Sequence, residues 1–375
     1  MKMRPKILFV SNTAWNLYKF RLPLIKFLED RGCDVLCVAS KDDFAKNLKK
    51  FINVKIDRKS LNPLKDLLLF YNLYRIYKRE KPDLILHWTI KPNIYGTIAA
   101  YLAKVKSINT VSGLGYTFTK KGILQKIIQI LYRIAFKFSS KVIFQNENDY
   151  KLFLDKKIVA SDKATIIRGS GVDTKFFTPK IKRNKKNENF LFMLISRMLW
   201  DKGIKEFIQS ARIIKRKYPK VKFYLIGPID EGNPSSIPKE IIDEWVKEKV
   251  VTYLGFKNDI RKYISKADVI VLPSYMEGVP NILLEASAME KPIITTDAPG
   301  CKDVVENNKT GLLVKPKDIK SLIVAMEKMI NISKKEREKM GKLGREKVKK
   351  EFSVEIVIKN YLNVINQVLG YDTNI

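Results

Sequence analysis

Residues 269–285 read VIVLPSYMEGVPNILLE, and this stretch decides the fold of the chain. Its first four residues, Val269–Leu272, are all apolar and predict a strand that is buried on both faces. Pro273 and Ser274 end that strand, and a helix is expected to begin near Asn281. A buried strand, a short loop and a helix in this order are typical of a parallel sheet with crossover helices.

The same alternation of buried strands and helices extends along the chain and predicts two parallel sheets. The strands expected in the first sheet are 6–10, 34–39, 83–86, 106–110 and 141–145. Those expected in the second sheet are 190–195, 222–226, 250–254, 269–272, 292–295 and 311–314. Helical spacing covers 16–31, 61–79, 94–103 and 354–369, and a capping box at 333–336 opens a helix that reaches about residue 350.

A chain of 375 residues, 45% of them hydrophobic, is too long for one core and long enough for two domains. The join is expected at 178–188, a charged segment that is poor in apolar side chains. We therefore predict a first domain at 1–178, a second at 179–353 and a last amphipathic segment at 354–375. Ligands of doubly wound sheets bind at the carboxyl ends of the strands, so a cleft between the domains is the expected site.

The composition restricts the class of protein. Its 72 basic and 39 acidic residues give a formal charge of +33, which attracts nucleic acid, anionic headgroups or phosphorylated substrates, although it is also compatible with plain solvated surface. Three cysteines cannot form a disulfide framework in a chain of this length, which indicates a reducing, cytoplasmic compartment. The run 6–10 is too short for a signal peptide, and no apolar stretch of about 18 residues could span a bilayer. The protein is expected to be soluble or to lie on a membrane surface.

The loop and helix after residue 272 carry the strongest functional signal. Glu277 lies in the loop, and Gly278 and Pro280 shape a tight entry to the helix. A helix N-terminus offers unpaired amides and the positive end of a dipole, which favour an anion. Glu285, about one turn into the helix, can accept hydrogen bonds from sugar or ribose hydroxyls. Two glutamates alone would be a cap and a solvated helix face, but the strand–loop–helix context favours a ligand site.

Two cations follow the expected strand 190–195. Arg197 and Lys202 precede a helix that starts near residue 204, and they suit a diphosphate leaving group. Arginine can bind two phosphate oxygens with its planar fork, whereas lysine adds a compact charge. In so basic a chain they could be ordinary surface residues, but their place at the end of a strand favours a binding role.

Three loops of the first domain offer polar side chains at the same kind of edge. Each follows a buried strand, so these side chains are expected to line the cleft. They are Asn16 and Tyr18 after the first strand, Lys91 and Asn93 after the strand 83–86, and Ser112 and Gly113 after the strand 106–110.

Histidine and metal chemistry are less well supported. His87 is the only histidine of the chain, and a lone histidine beside a strand end is more often structural than catalytic, although it is kept among the cleft candidates. One histidine without a cysteine cluster does not predict zinc. No Asp-x-Asp pair is placed for a divalent cation, so neither a metal nor another cofactor is expected.

Residues 122–141, GILQKIIQILYRIAFKFSSK, form a long apolar segment with interspersed lysine and arginine. As a helix it could bury one face in the core. The same residues would also suit shallow insertion into an anionic membrane surface. Both interpretations remain open at this point.

These motifs resemble a known family. Over essentially its whole length the chain is similar to the retaining glycosyltransferases of family 4, which carry a Glu-x7-Glu motif on the GT-B fold. In the second half the resemblance is carried by Arg197-x4-Lys202-Gly203, Glu277-x7-Glu285 and Met340-Gly341-x2-Gly344-Arg345. In the first half, the segments 89–96, 113–115 and 169–173 are similar to a narrower subset that extends lipid-linked oligosaccharides.

The resemblance implies a fold and a donor site. The fold is an α/β GT-B fold, with two Rossmann-like domains facing across a cleft and a C-terminal helix that crosses back to the first domain. In the implied donor site, Arg197 and Lys202 contact the diphosphate. Glu285 contacts the ribose, and Glu277 contacts the transferred sugar. Gly278 belongs to the same donor-binding loop, and the amides of Asn281 and Ile282 after it contact phosphate. Two departures are Ser112 and Trp88, since many relatives carry a histidine at or near these positions.

The resemblance also implies substrates and a location. The donor would be a UDP-sugar, and the sugar an N-acetylhexosamine transferred with retention of configuration. The acceptor would be a polyprenyl-diphosphate-linked glycan, which places the enzyme peripherally on the inner face of the cell membrane, against an anionic surface. No nucleic acid is implied as a partner.

The chemistry expected from these residues is metal-independent electrostatic catalysis. Negative charge grows on the leaving oxygen as the bond to the diphosphate breaks, and Arg197, Lys202 and the helix dipole can stabilise it. Two alternatives remain. A nucleotide-sugar epimerase on the same scaffold would need no lipid acceptor, and a nucleic-acid-binding protein is suggested by the charge alone, without a recognition motif.

Overall fold

The computed structural model describes residues 4–57, 60, 62–114, 122–179 and 189–370. It forms two compact units. The first comprises residues 1–170 and 354–375, and the second comprises residues 171–353. The chain therefore leaves the first unit between Ser170 and Gly171, eight residues before the boundary expected from the sequence. Most of the expected linker, residues 180–188, lies outside the described residues.

The described part of the first unit forms one sheet of seven parallel strands, in the spatial order β3-β2-β1-β4-β5-β6-β7. The strands are β1 Lys6–Thr13, β2 Asp34–Ser40, β3 Phe51–Asn53, β4 Leu84–Trp88, β5 Lys106–Val111, β6 Lys141–Phe144 and β7 Ala164–Ile166. The helices of its continuous part are α1 Ala14–Asp30, α2 Pro63–Glu80, α3 Thr97–Leu102, α4 Ile123–Lys137 and α5 Glu147–Asp155. A 3₁₀ turn covers Ala45–Asn47, and a π-helical turn, Pro92–Gly96, leads into α3.

The described part of the second unit forms a sheet of six parallel strands, in the order β10-β9-β8-β11-β12-β13. The strands are β8 Leu191–Ile195, β9 Lys222–Ile226, β10 Thr252–Tyr253, β11 Val269–Leu272, β12 Ile293–Thr296 and β13 Gly311–Val314. A 3₁₀ turn at Trp200–Lys202 precedes the helices, which are α6 Ile204–Lys217, α7 Lys239–Lys247, α8 Arg261–Lys266, α9 Asn281–Ala288, α10 Cys301–Val304, α11 Ile319–Asn331 and α12 Lys334–Glu351. The last helix of the chain, α13 Val354–Leu369, belongs to the first unit.

Both sheets have the strand order of a Rossmann-like fold, so the predicted pair of parallel sheets is confirmed. The order reverses between β1 and β4 in the first unit and between β8 and β11 in the second. Loops that follow the strands on either side of such a reversal diverge and leave a crevice between them. The crevice of the second unit therefore lies between the loops after β8 and β11.

Alternation along the strands places apolar layers on both faces of each sheet. In β8, Phe192 and Leu194 pack in one layer, whereas Met193 and Ile195 pack in the layer on the opposite face. All three cysteines are buried; burial raises the thiol pKa of Cys37 to about 12, which is the behaviour of a small core residue.

Helix α13 completes the core of the first unit. Its Tyr361 is almost fully buried, and the phenol oxygen lies 3.1 Å from Thr110 Oγ1 and 3.4 Å from Trp88 Nε1. Near the end of the helix, the carbonyl of Val368 accepts a hydrogen bond from Lys106 Nζ at 2.7 Å. The helix is thus tied to the ends of β4 and β5.

The main differences from the expected elements are local. Strands β3 and β7 have three residues each, too few for a hydrophobic period to identify them. The expected helix 94–103 begins instead as the π-helical turn, and only Thr97–Leu102 is α-helical. The predicted capping box is confirmed: Ser333 Oγ accepts from Glu336 N–H at 3.2 Å, and the Glu336 carboxylate accepts from Ser333 N–H at 2.7 Å. No helix among the described residues is long and apolar enough to cross a bilayer.

Candidate active site

Two glycines fix the loop that follows β11. Gly203, just before α6, has a φ of +71°, and a Cβ there would overlap the carbonyl oxygen of Pro273. Gly300, just before α10, has a φ of +78°, and a Cβ there would overlap the carbonyl oxygen of Glu277. A side chain at either glycine would push away the backbone that carries Glu277.

The structure brings Lys202 and Glu277 together. Lys202 Nζ lies 2.6 Å from Glu277 Oε1, and Ser274 Oγ donates to the same oxygen at 2.8 Å. Both charged side chains are largely shielded from water, with 13% and 15% of their surfaces exposed. The shielding strengthens the attraction between them relative to a surface pair. Two of the sequence-predicted residues are therefore direct partners, each on a different side of the crevice.

Arg197 has a separate acidic partner. Its Nη1 donates to Asp230 Oδ2 at 2.7 Å, and Asn233 Nδ2 donates to the same oxygen at 3.0 Å. Asp230 is buried, whereas 42% of the Arg197 side chain remains exposed. The aspartate thus holds one edge of the guanidinium, and part of the fork still faces solvent.

Helix α9 begins at the predicted place. Pro280 precedes it and provides no side-chain cap, and the first amides of a helix have no partner within the helix. Asn281 and Ile282, the first two residues, therefore present N–H groups beside the loop of Gly278. Glu285 lies one turn further along and is buried in the same helix. A helix start of this kind favours an anion, and the loop that carries Glu277 leads directly into it.

In the first unit, four candidates lie half-buried beside the carboxyl edge of the sheet. The expected loop after the first strand was wrong for two of them: β1 extends to Thr13 and α1 begins at Ala14, so Asn16 and Tyr18 lie in the first turns of the helix. Asn16 Oδ1 accepts a hydrogen bond from Ser11 Oγ at 2.9 Å, and the Tyr18 ring packs beside Phe44 with 5.3 Å between the centroids. The other two, Ser112 and Gly113, directly follow β5.

Lys91 and Asn93 are held more tightly. Lys91 Nζ forms an ion pair with Asp66 Oδ1 at 2.5 Å and also donates to the carbonyl of Ser60. Asn93 is buried, and its Nδ2 donates to the carbonyl of Thr110 at 2.9 Å. Both side chains therefore stabilise the turn at Pro92–Gly96, and neither has its polar head freely exposed at the edge of the sheet.

His87 lies inside the core, so its place among the cleft candidates needs correction. It has no exposed surface; its Nδ1 lies 3.0 Å from Asn109 Oδ1 and its Nε2 lies 2.9 Å from the Tyr77 hydroxyl. These partners fix the neutral tautomer with the proton on Nδ1, and burial lowers the pKa of the imidazole to about 3. A neutral, fully bonded histidine in the core is a structural residue. Gly96 is needed beside it, because a Cβ there would lie 2.6 Å from His87 Nε2.

Two partners of the predicted site residues, and one unusual backbone position in the first unit, were missed by sequence reasoning. Asp230 and Ser274 bond to Arg197 and Glu277, but such polar partners give no period or motif in a sequence. Thr89, the first residue after β4, has a φ of +72°, rare for a β-branched side chain, and its buried hydroxyl has no partner among the described residues. Only the segment 89–96, quoted for the resemblance, pointed to Thr89.

In the part of the chain that the structure describes, no three His, Cys, Asp or Glu side chains lie together as a cation site. The positive charge available at the crevice of the second unit comes from Lys202, Arg197 and the start of α9.

Comparison with known proteins decides the family. Residues 176–347 match the family described as glycosyl transferases group 1, and residues 6–146 match the family described as glycosyl transferase 4-like. The N,N'-diacetylbacillosaminyl-diphospho-undecaprenol alpha-1,3-N-acetylgalactosaminyltransferase of Campylobacter jejuni is 34% identical over 336 residues, which cover 84% of this chain and 87% of that protein. The chain belongs to the glycosyltransferase family that these two models and this relative represent.

A second relative supports the assignment to a glycosyltransferase family, and a solved structure has the same fold. The UDP-Gal:alpha-D-GlcNAc-diphosphoundecaprenol alpha-1,3-galactosyltransferase of Escherichia coli is 28% identical, over 74% of this chain and 75% of that protein. Among solved structures, Anabaena HepE in complex with UDP-glucose superposes with a TM-score of 0.81 at 19% identity, over 97% of this chain and 100% of that one. The shared fold confirms the predicted α/β fold of the GT-B type. The family also favours a transferase over the epimerase and the nucleic-acid-binding protein that the sequence left open.

Proposed function

We propose that this glycosyltransferase moves an N-acetylhexosamine from a UDP-sugar onto an undecaprenyl-diphosphate-linked saccharide, with retention of configuration, in bacterial glycan or glycoprotein biosynthesis. The contact of Lys202 with Glu277 beside the start of α9 is the observation that carries the proposal. The substrate class is supported by two relatives whose names include a diphospho-undecaprenol acceptor, one of which is named for UDP-Gal.

The proposed chemistry concentrates positive charge where the leaving group forms. When the bond between the sugar and UDP breaks, negative charge grows on the departing phosphate oxygen. Lys202 can turn from Glu277 to that oxygen, and Arg197, oriented by Asp230, can bind the diphosphate with the exposed part of its fork. The amides at the start of α9 add the positive end of a helix dipole. These groups supply the charge in this proposal, which uses no metal.

Glu277 and Glu285 are assigned to the sugar and the ribose. Once Lys202 turns toward phosphate, Glu277 keeps the hydrogen bond from Ser274 and can accept another from a hydroxyl of the transferred sugar. We assign Glu285, one turn into α9, as the acceptor of a hydrogen bond from a ribose hydroxyl. A carboxylate that accepts from sugar hydroxyls binds through charge-assisted hydrogen bonds, which are stronger than neutral ones.

The lipid of the acceptor implies a membrane, and α4 offers an apolar surface for it. Ile123, Ile127, Ile130 and Ile134 are 79%, 47%, 50% and 44% exposed. Their spacing places them along one side of the helix, where they form what we call the α4 stripe. An exposed apolar stripe on a basic helix is typical of shallow binding to an anionic bilayer. We therefore place the enzyme peripherally on the inner face of the cell membrane.

The test of the proposed function is a substrate panel. Purified enzyme is incubated with UDP-N-acetylgalactosamine, UDP-N-acetylglucosamine, UDP-galactose and UDP-glucose, each with an undecaprenyl-diphosphate-linked saccharide. We expect transfer from an N-acetylhexosamine donor, an α linkage in the product by NMR, and the same rate in EDTA. Product formation from the UDP-sugar alone, or an inverted linkage, would contradict the proposal.

A further inference from the structure

A groove of about 570 Å³ lies beside α4, between the last turns of that helix and the segment that leads from α5 to β7. We call it the cationic pocket. Four of the residues that line it are basic, and its lining includes no carboxylate: Arg133, Lys137, Lys157 and Lys163 surround a floor that includes Phe136 and Ile158.

Among the described residues, the hydrogen bonds of Arg133 and Lys163 go to carbonyl oxygens and not to carboxylates. The Arg133 guanidinium donates to the carbonyls of Lys156 and Lys157 at 2.9 and 3.2 Å, and Lys163 Nζ donates to the carbonyl of Lys137 at 2.7 Å. Carbonyl oxygens fix the positions of these groups without cancelling their charge. None of the four basic side chains forms an ion pair with a carboxylate in the described ranges. The four positive charges therefore favour an anion with several oxygens.

The pocket adjoins the α4 stripe. Arg133 and Lys137 are four residues apart and share one side of the helix, and each immediately precedes a residue that is apolar and exposed, Ile134 or Phe138. Because successive residues of a helix are about 100° apart around its axis, the row formed by Arg133 and Lys137 runs directly beside the α4 stripe. A helix that lies on a bilayer with its stripe in the acyl region would thus hold the pocket at the depth of the headgroups.

We propose that the cationic pocket binds the phosphate of an anionic phospholipid headgroup while the α4 stripe enters the bilayer. The proposal rests on the membrane location given under the proposed function, and it assigns a defined site to what would otherwise be diffuse attraction between charges. Basic pockets that open at the headgroup level select anionic lipids, and the apolar floor at Phe136 and Ile158 can accept the carbon atoms next to the phosphate.

Vesicle flotation tests this site with a matched pair of variants. Lys137→Ala/Lys157→Ala removes two charges from the pocket, and Lys334→Ala/Lys335→Ala removes two exposed charges from the second unit. Each is mixed with vesicles of phosphatidylcholine, alone or with phosphatidylglycerol. At roughly 1 kcal/mol per lysine, we expect the pocket variant to bind the phosphatidylglycerol vesicles about thirty-fold more weakly and the control to bind like the native protein. Equal losses in both variants would overturn the site, because they would show attraction by net charge alone.

Two further measurements separate the possible outcomes. Inorganic phosphate is titrated into the native protein and the pocket variant without vesicles; if the pocket variant loses affinity for phosphate but binds the phosphatidylglycerol vesicles like the native protein, the pocket serves free phosphate and the lipid assignment is wrong. Transfer to a short-chain, water-soluble diphosphate-linked acceptor is expected to stay unchanged in the pocket variant. Weak vesicle binding with normal transfer supports the site, and it does so independently of which sugar the enzyme transfers.

Discussion

Lys202 Nζ lies 2.6 Å from Glu277 Oε1, and the two residues come from loops on opposite sides of the strand reversal between β8 and β11. An ion pair at this place gives the site a cation and a carboxylate that hold each other in position. A bound diphosphate offers the ammonium a stronger anionic partner, and the carboxylate is then available to the sugar. Under the proposed function, the pair therefore makes binding of the two halves of the donor interdependent.

Replacing Lys202 tests the charge at the leaving group. We expect Lys202→Ala to lower kcat by about a hundred- to a thousand-fold, because removal of one group that stabilises developing charge costs roughly 3–4 kcal/mol of barrier. The cooperative unfolding transition should remain. The measurement is initial-rate kinetics with saturating donor, and Lys205→Ala, an exposed lysine in the first turn of α6, is the control that should keep full activity. Near-native turnover in Lys202→Ala would rule out its assigned role.

Glu277→Gln should separate binding of UDP from transfer. The amide keeps a hydrogen-bond acceptor for Ser274 but removes the negative charge that competes for Lys202. We expect UDP to bind as tightly as to the native enzyme or more tightly, whereas kcat falls at least ten-fold because the sugar loses a charged acceptor. Calorimetric titration with UDP and transfer assays give the two quantities. An equal loss of UDP affinity and of kcat would show that Glu277 mainly maintains the structure of the site.

Asp230 should act through Arg197. Asp230→Asn removes the charge that holds the guanidinium, so we expect the donor KM to rise about ten-fold with a smaller change in kcat, as for a residue that positions a binding group. Asn233→Ala is the milder comparison because it keeps the charge of Asp230; it removes the hydrogen bond that Asn233 donates to this carboxylate and the one that Asn233 Oδ1 accepts from Ser235 N–H. If Asp230→Asn lowers kcat alone and leaves the donor KM unchanged, Arg197 does not depend on it for binding.

The second unit was predictable because its local sequence and its sheet agree. The buried strand Val269–Leu272 and the helix that starts at Asn281 were both visible as apolar patterns, and their loop falls at the strand reversal where ligands bind. The topology places Lys202 and Glu277 on the two sides of one crevice, because β8 and β11 are neighbouring parallel strands at the strand reversal. The contact between the two side chains does not follow from that topology, since loops at such a reversal diverge. Its distance, and the presence of Ser274, required coordinates.

The site residues of the first unit were harder to predict, because the polarity of residues along the chain does not show which side chains point into the core. His87 lies in β4 and Asn93 follows it closely, as expected for cleft residues, yet the alternation of the strand and the π-helical turn direct both side chains into the core. The partner of Lys91, Asp66, lies 25 residues earlier on a different helix, and no local pattern relates the two. Non-local polar pairs are set by packing, so sequence spacing could not separate bound from available side chains.

His87 gives a pH prediction that needs no substitution. Because it is the only histidine, its imidazole should give a single set of NMR signals. Burial lowers its pKa to about 3, so these signals should not titrate between pH 8 and pH 5, and no histidine should shape the activity profile there. An unfolded chain binds this proton near pH 6.5, so its contribution to stability is complete above that pH and is lost as the pH falls towards 3. The loss should be about 1.4 kcal/mol per pH unit. A titration midpoint near 6.5 in the folded protein would contradict the buried position.

Thr89 offers the sharpest test of the acceptor edge. Its φ of +72° is costly for a β-branched residue, so Thr89→Gly should relieve strain. We expect the free energy of unfolding to rise by about 1–3 kcal/mol, which a higher melting temperature would show. Strain of this kind is retained where the conformation has a use, and the loop that begins at Thr89 follows β4 at the carboxyl edge of the first sheet, where ligands of doubly wound sheets bind. We therefore expect Thr89→Gly to raise the acceptor KM about ten-fold while Thr89→Ser, which keeps the hydroxyl, stays near the native value. A glycine variant that is both more stable and fully active would show that the strain serves the backbone turn alone.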